Sequence, residues 1–233
     1  MNLSSMFYDP TYFLVLIAMV LTAGVQMYMT STFSKYQQVI SKSGLTASKA
    51  AAMILSSSGI DNVKIGRVEG SLTDHYAPTK KELNLSDTTY DSRSIASIGV
   101  AAHECGHALQ DHRKMVLLNL QMSIVPVVNF ASRLSIPLIL IGIVLGLMNL
   151  AQVGVYLFGA TLLYQLMTLP IEFDASNNAI KVLRENNMMD ESELYGVKKV
   201  LTAAALTYVA AAASTFLQLL RFAILINGSR RSD

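Results

Sequence analysis

Charge is scarce in this chain, and its placement says more than its amount. Apart from Asp9 nothing is formally charged before Lys35, and between Lys114 and Glu172 only Arg133 is. Charged residues make up 15% and apolar ones 52% of the 233 positions, too oily a balance for an ordinary soluble domain. The net charge of +2 has no basic block behind it, so nucleic acid is not an expected partner. Cys105 is the only cysteine, which excludes an intrachain disulfide and fits a reducing compartment. Proline is missing from residues 92–125, leaving that stretch free to form an unbroken helix.

What is present begins with an uncharged run at residues 12–29, close to the ~20 residues that cross a ~30 Å hydrocarbon core. A cleaved signal peptide wants a basic leading region, and only Asp9 stands there, so the run reads as an uncleaved anchor. Lys35, Lys42 and Lys49 follow it, and the positive-inside rule then puts the N-terminus outside and the next segment in the cytoplasm. Residues 34–58 are polar and Ala-rich, broken at Gly44, and Thr46 can cap a helix through residues 51–55. Residues 60–86 alternate apolar with polar side chains around turn chemistry at Ala77, Pro78 and Thr79, which predicts a small antiparallel sheet.

Beyond residue 115 the chain turns apolar again, with Pro126 as an expected kink. Residues 134–171 carry no formal charge and suit a membrane hairpin turning at 146–152, with spans at 136–150 and 153–169. A hairpin returns Glu172 to the side the chain started from. Residues 181–199 read as a solvated helix pair. The last apolar block, 200–226, reads as a spanning or deeply membrane-packed helix in which Arg221 needs a snorkelling position or a partner, ahead of a short basic tail at Arg230 and Arg231.

The chemistry is concentrated in SIASIGVAAHECGHALQDH, where His103, Glu104, Cys105, Gly106 and His107 spell H-E-C-G-H. Residues i and i+4 share a helix face, so His103 and His107 can offer two imidazole nitrogens to one metal ion. Glu104 points roughly 100° away and can touch a metal-bound water without taking a coordination position. Asp91 or Ser92 is a plausible cap for this helix. Cys105 should pack behind the motif as a core thiol, and Gly106 should let a neighbouring element come close. All four histidines lie between residues 75 and 112, and His75, His112, Arg113 and Tyr208 are candidate oxyanion donors, His75 first. Residues 72–76 are expected to form an edge strand that receives substrate backbone, with His75 near the scissile bond.

Four ordered stretches, GSLTDHYAPTKK, SIASIGVAAHECGHALQ, YQLMTLPIEFDAS and KKVLTAAALTYVAAA, resemble the YugP-like bacterial membrane zinc metallopeptidases. Their order is also similar to the wider HtpX and CAAX-prenyl-protease group, in which an edge strand, an HExxH helix, a membrane hairpin and a ligand Glu follow one another. The resemblance implies Glu172 as third ligand. In that group the Glu sits in E-x-x-x-D; here Ser176 occupies the Asp position and Asp174 lies two residues nearer, so Asp174, Ser176 or Asn177 is left to orient a ligand histidine.

The expected fold is therefore a mainly α membrane protein: an α-helical, zincin-like catalytic region with a small antiparallel β-sheet, plus three to four transmembrane helices. The divisions read as an anchor at 1–30, a cytoplasmic catalytic region at 31–115, a membrane hairpin at 116–171, a third-ligand helix and charged segment at 172–199, and a membrane-associated helix with a basic tail at 200–233. The expected activity is a zinc endopeptidase with one Zn²⁺ per chain on His103, His107 and Glu172, with Glu104 as general base and His75 assisting. It would act from the cytoplasmic face of a bacterial plasma membrane on membrane or membrane-proximal polypeptides, alone or with a membrane-protein partner or further copies of itself. Intramembrane proteolysis of the site-two type is disfavoured by the polar residues Ser94, Ser97, Gln110 and Asp111 flanking the motif. The alternative outside enzymology is a membrane scaffold or chaperone partner that retains a zinc site without turnover.

Overall fold

The computed structural model describes residues 10–230. In order come α1 (Tyr12–Gln37), α2 (Ala47–Ser57), β1 (Lys64–Val68), β2 (His75–Ala77), β3 (Glu82–Ser86), the single turn α3 (Asp87–Tyr90), α4 (Ile95–His112) and the long helices α5 (Val116–Val144), α6 (Met148–Glu185) and α7 (Glu191–Arg230). Helices α1, α5, α6 and the Glu191–Ile226 part of α7 are long and apolar enough to cross a membrane. The protein is thus mainly α and of membrane type. Helix α5 runs through Pro126 and Pro137, and α6 through Pro170.

The sheet corrects the sequence reading. Its order is β1-β3-β2, with β1 parallel to β3 (Ile65 opposite Leu83) and β2 antiparallel to it (Tyr76 opposite Leu83). The chain leaves β1, passes through β2 on the far side of β3 and re-enters in its first direction, so the sheet is mixed and not antiparallel. Alternation alone reports a two-sided strand and not its partner's direction. The edge strand is also shorter than residues 72–76, because Leu72 sits at φ 56° and only His75–Ala77 pair.

Two compact units emerge. One gathers the described parts of Met1–Gln26, Leu120–Leu169 and Thr207–Asp233. Here α5 and α6 form a hairpin that turns at Gly146 (φ 71°), a left-handed conformation that favours glycine. A β-carbon at Gly142 would lie 2.4 Å from Ala151 N, and one at Gly154 would lie 2.7 Å from Ser135 O, so both glycines let the hairpin helices close up. The Phe158 and Phe222 rings meet edge to face at 5.7 Å. Arg221 has its partner: its guanidinium lies 4.3 Å from the centre of the Tyr12 ring. Asp9 and Arg231, like the Arg230 side chain, fall outside the described residues.

The other unit is Met27–Asn119 with Pro170–Leu206, and it holds the motif. Its core packs Ala47, Ala50, Ala51 and Ile54 of α2 together with Ile98, Ala101, Ala102, Cys105 and Ala108 of α4, over Leu83 and Leu85 of β3. The small residues suit close packing of helix on helix, and each fully buried Ile or Leu contributes roughly 1.5–3 kcal/mol. Cys105 is the buried core thiol expected of it. The motif helix is capped by Ser94, whose Oγ accepts from Ser97 N–H at 3.1 Å, and not by Asp91 or Ser92. Thr46 caps α2 as expected, accepting from Lys49 N–H at 3.3 Å. Helix α7 opens on a reciprocal cap, in which Asp190 accepts from Glu193 N–H (2.9 Å) and Glu193 from Asp190 N–H (3.1 Å). The second oxygen of Glu193 accepts from Lys42 N–H at 2.8 Å, which ties the loop before α2 to α7.

Candidate metal centre

Helical spacing does what the motif promised. His103 and His107 stack one turn apart on α4, ring centres 4.8 Å apart and nearly perpendicular. Glu172 comes from α6, and Gly106 allows it to arrive: a β-carbon at 106 would lie 2.5 Å from Ala175 O, so only glycine lets the α6 backbone rest there. Glu172 Oε2 lies 3.3 Å from His103 Nε2 and 3.8 Å from His107 Nε2.

The three donor atoms lie within 4.8 Å of one another and can hold a metal ion. Ligand bonds of about 2.0–2.2 Å arranged tetrahedrally put donor atoms a little over 3 Å apart, close to the 3.3 and 3.8 Å from Glu172 to the two histidines and tighter than the 4.8 Å spread of all three donors. Glu172 Oε2 is buried and accepts no hydrogen bond, an arrangement that calls for a cation. Burial pushes the His107 imidazole down, but the Glu172 and Glu104 carboxylates outweigh it and hold its pKa up at about 9. Positive charge is favoured at this spot, as a proton or as a metal.

The other side of each imidazole is engaged as well. His103 Nδ1 lies 3.2 Å from Ser176 Oγ. His107 Nδ1 lies 3.0 Å from Gln110 Oε1, and the amide orientation is fixed because Gln110 Nε2 donates to Ile171 O at 2.7 Å and to Asp174 Oδ2 at 2.9 Å. An amide oxygen only accepts, so His107 keeps its proton on Nδ1 and gives up the one on Nε2, the nitrogen that faces Glu172. Asn178 Nδ2 also donates to Asp174 (2.8 Å), and Arg113 reaches Asn178 Oδ1 at 3.4 Å. Of the three residues left to orient a histidine, Ser176 touches His103, Asp174 acts through Gln110, and Asn177 is exposed.

Glu104 is buried beside its helix neighbours, and its Oε2 accepts the main-chain N–H of Tyr76 at 2.9 Å. The free edge of β2 therefore faces the motif helix. The Tyr76 hydroxyl donates to Asp111 Oδ2 at 2.5 Å, and Lys81 Nζ bonds the same oxygen. Burial, and then Asp111, push the Tyr76 hydroxyl well above its usual range, so it stays a donor.

His75 is not brought to this cluster, against the sequence expectation. Neighbouring strand residues point to opposite faces, so Tyr76 turns toward α4 and His75 turns away. Its Nδ1 bonds Thr73 O (2.9 Å), its Nε2 meets Asn84 Nδ2 (3.3 Å), and the residue is exposed. His112 and Arg113 are exposed at the end of α4, and Tyr208 belongs to the other unit. Sequence reasoning missed Gln110 and Tyr76. Gln110 carried a usable signal, three residues after His107 and thus on its face. Tyr76 carried none, since its contact to Glu104 is made by the main chain.

Two histidines and a carboxylate on facing helices, with a second buried carboxylate alongside, are the donor set of a catalytic rather than a structural zinc site, here in a chain of membrane type. Residues 11–227 match the family described as "Putative neutral zinc metallopeptidase", and the chain belongs to it. It is also 45% identical over 217 residues to the "Putative membrane protease YugP" of Bacillus subtilis (strain 168), covering 93% of this chain and 96% of that protein. No solved structure gives a significant match.

Proposed function

We propose that the chain is a zinc endopeptidase of the bacterial plasma membrane, with one zinc per chain on His103, His107 and Glu172, its site facing the cytoplasm, and polypeptides in or near the membrane as substrates. One observation carries the reading: the buried Glu104 carboxylate, held by an edge-strand N–H, stands beside a His/His/Glu cluster that can hold a metal. When bound, zinc supplies Lewis acidity, polarising a carbonyl and lowering the pKa of a water. Glu104 takes a proton from that water on one carboxylate oxygen and returns it to the leaving amine. The Tyr76 N–H restrains that carboxylate, and the edge of β2 beside the motif helix is where an extended peptide can align its main chain. His75 has no part in this scheme.

The test is casein cleavage by detergent-purified protein. Cleavage should vanish with a zinc chelator and return with added zinc. Metal-independent cleavage, or none at all with full zinc, would contradict the reading and favour the scaffold alternative.

A further inference from the structure

Arg133 is the only formal charge in α5, and it sits far from either end of that helix. At about 1.5 Å per residue it lies about 26 Å from Val116 and about 16 Å from Val144. With the hairpin tip at one boundary of a ~30 Å hydrocarbon layer, Arg133 falls near the mid-plane. An exposed arginine at such depth is costly, and membrane proteins keep one where it meets a counter-charge.

This chain offers none. Among the described residues Arg133 is exposed and engages no hydrogen-bond, ionic or ring partner. The unit that contains it has no carboxylate among its described residues, and its other interior arginine, Arg221, is stacked on Tyr12. The described residues of that unit in a second copy offer none either. Pro137, four residues on, has no N–H to give the Arg133 carbonyl, so the helix lacks its usual i→i−4 bond there. The residues on this face, Pro126, Phe130, Arg133, Pro137, Leu140 and Val144, recur at steps of three and four and are all exposed. The opposite face, through Ser135, Ile139 and Gly142, is the one packed on α6.

We propose that the Arg133 face of α5 docks the membrane-spanning helix of another polypeptide that carries an Asp or Glu at mid-bilayer depth. Charge complementarity identifies the occupant, because the guanidinium lacks an anion and the described residues of the membrane unit, in this copy or another, hold no carboxylate to supply one. The proposal does not depend on the protease reading.

The test uses full-length protein in phosphatidylcholine vesicles, with an acceptor dye on Leu147→Cys, since the native thiol Cys105 is buried. The probes are donor-labelled spanning peptides of Leu and Ala with a single central Glu or a single central Gln. Energy transfer should show the Glu peptide binding about three- to thirtyfold more tightly than the Gln peptide, the range for polar contacts between membrane helices. Arg133→Leu should erase the difference and Arg133→Lys should retain part of it, with or without zinc. Equal binding of the two peptides by the parent protein overturns the proposal, as does a Glu preference that survives Arg133→Leu. So does a preference that disappears when one third of the lipid is phosphatidylglycerol, which would assign the guanidinium to lipid phosphate. If Arg133→Leu does not fold, the comparison of Glu with Gln on the parent decides alone.

Discussion

Gln110 Oε1 sits 3.0 Å from His107 Nδ1, and its amide cannot turn over because Ile171 O and Asp174 both require the NH₂ end. A residue outside the candidate donor set thereby selects which nitrogen of His107 is available. Gln110→Met keeps the volume and loses the acceptor, so zinc affinity should fall about 10- to 100-fold, the usual range for such partners. Chelator competition measures the affinity. Nitrogen NMR of the zinc-free protein above pH 9 should show His107 protonated on Nδ1 in the parent and on both nitrogens in turn in the variant. Unchanged affinity would make Gln110 a packing residue only.

Tyr76 and His75 are chain neighbours on opposite strand faces and should behave oppositely. Tyr76→Phe removes the hydroxyl that pins β2 to Asp111, and the N–H offered to Glu104 loses its anchor. Turnover should drop about tenfold with zinc content unchanged, in keeping with a hydrogen bond to a charged group worth about 1.5–3 kcal/mol. His75→Ala should stay within about twofold of the parent, because that side chain meets only Thr73 and Asn84 and its loss sits on the surface. A large loss in His75→Ala would restore it to the mechanism.

The proposed zinc site makes zinc and protons competitors at His107, whose pKa is held up at about 9. Zinc must displace a proton there at neutral pH, so affinity should rise with pH until about 9 and then level off. Calorimetry at pH 7.5 in buffers of different ionisation enthalpy should report close to one proton released from this residue. In the zinc-free chain the sign is the reverse. A raised imidazole pKa adds stability below about pH 6.5, and that contribution is lost as the pH climbs through 9. Zinc uptake that releases no proton at pH 7.5 would contradict the assignment.

Gly106→Ala places a methyl group against the Ala175 carbonyl, 2.5 Å away before any shift. Overpacking of this kind costs about 1–3 kcal/mol, and here it pushes Glu172 and Ser176 away from the histidines. Both zinc content and thermal stability should fall. The fully buried Cys105 next door, replaced by Ala, should lose some stability and keep its zinc.

Local signals in the sequence were enough to place the histidine pair and the cap at Thr46, because each depends on spacing within a few residues. The first hairpin span, read at 136–150, instead runs from Val116 to Val144, and the next helix already starts at Met148, since a uniformly apolar run does not mark its own ends. Gly106 was legible as a point of close approach, although Ala175 as its neighbour was not. Strand direction was not legible, since β1 and β3 alternate the same way whichever way β3 runs. His75 was misplaced because clustering along the chain says nothing about which strand face a side chain takes. The Tyr76 N–H is invisible for a deeper reason: every residue but proline has one, and only the fold decides which of them meets a carboxylate.

The central claim is that Glu104 turns substrate over while His103, His107 and Glu172 hold the metal. It is tested most directly by measuring zinc content and peptide cleavage on the same preparations of Glu104→Gln and Glu172→Ala. Glu104→Gln should keep about one zinc per chain and lose cleavage, whereas Glu172→Ala should lose both. Stoichiometric zinc in folded Glu172→Ala, or undiminished cleavage by Glu104→Gln, would contradict it.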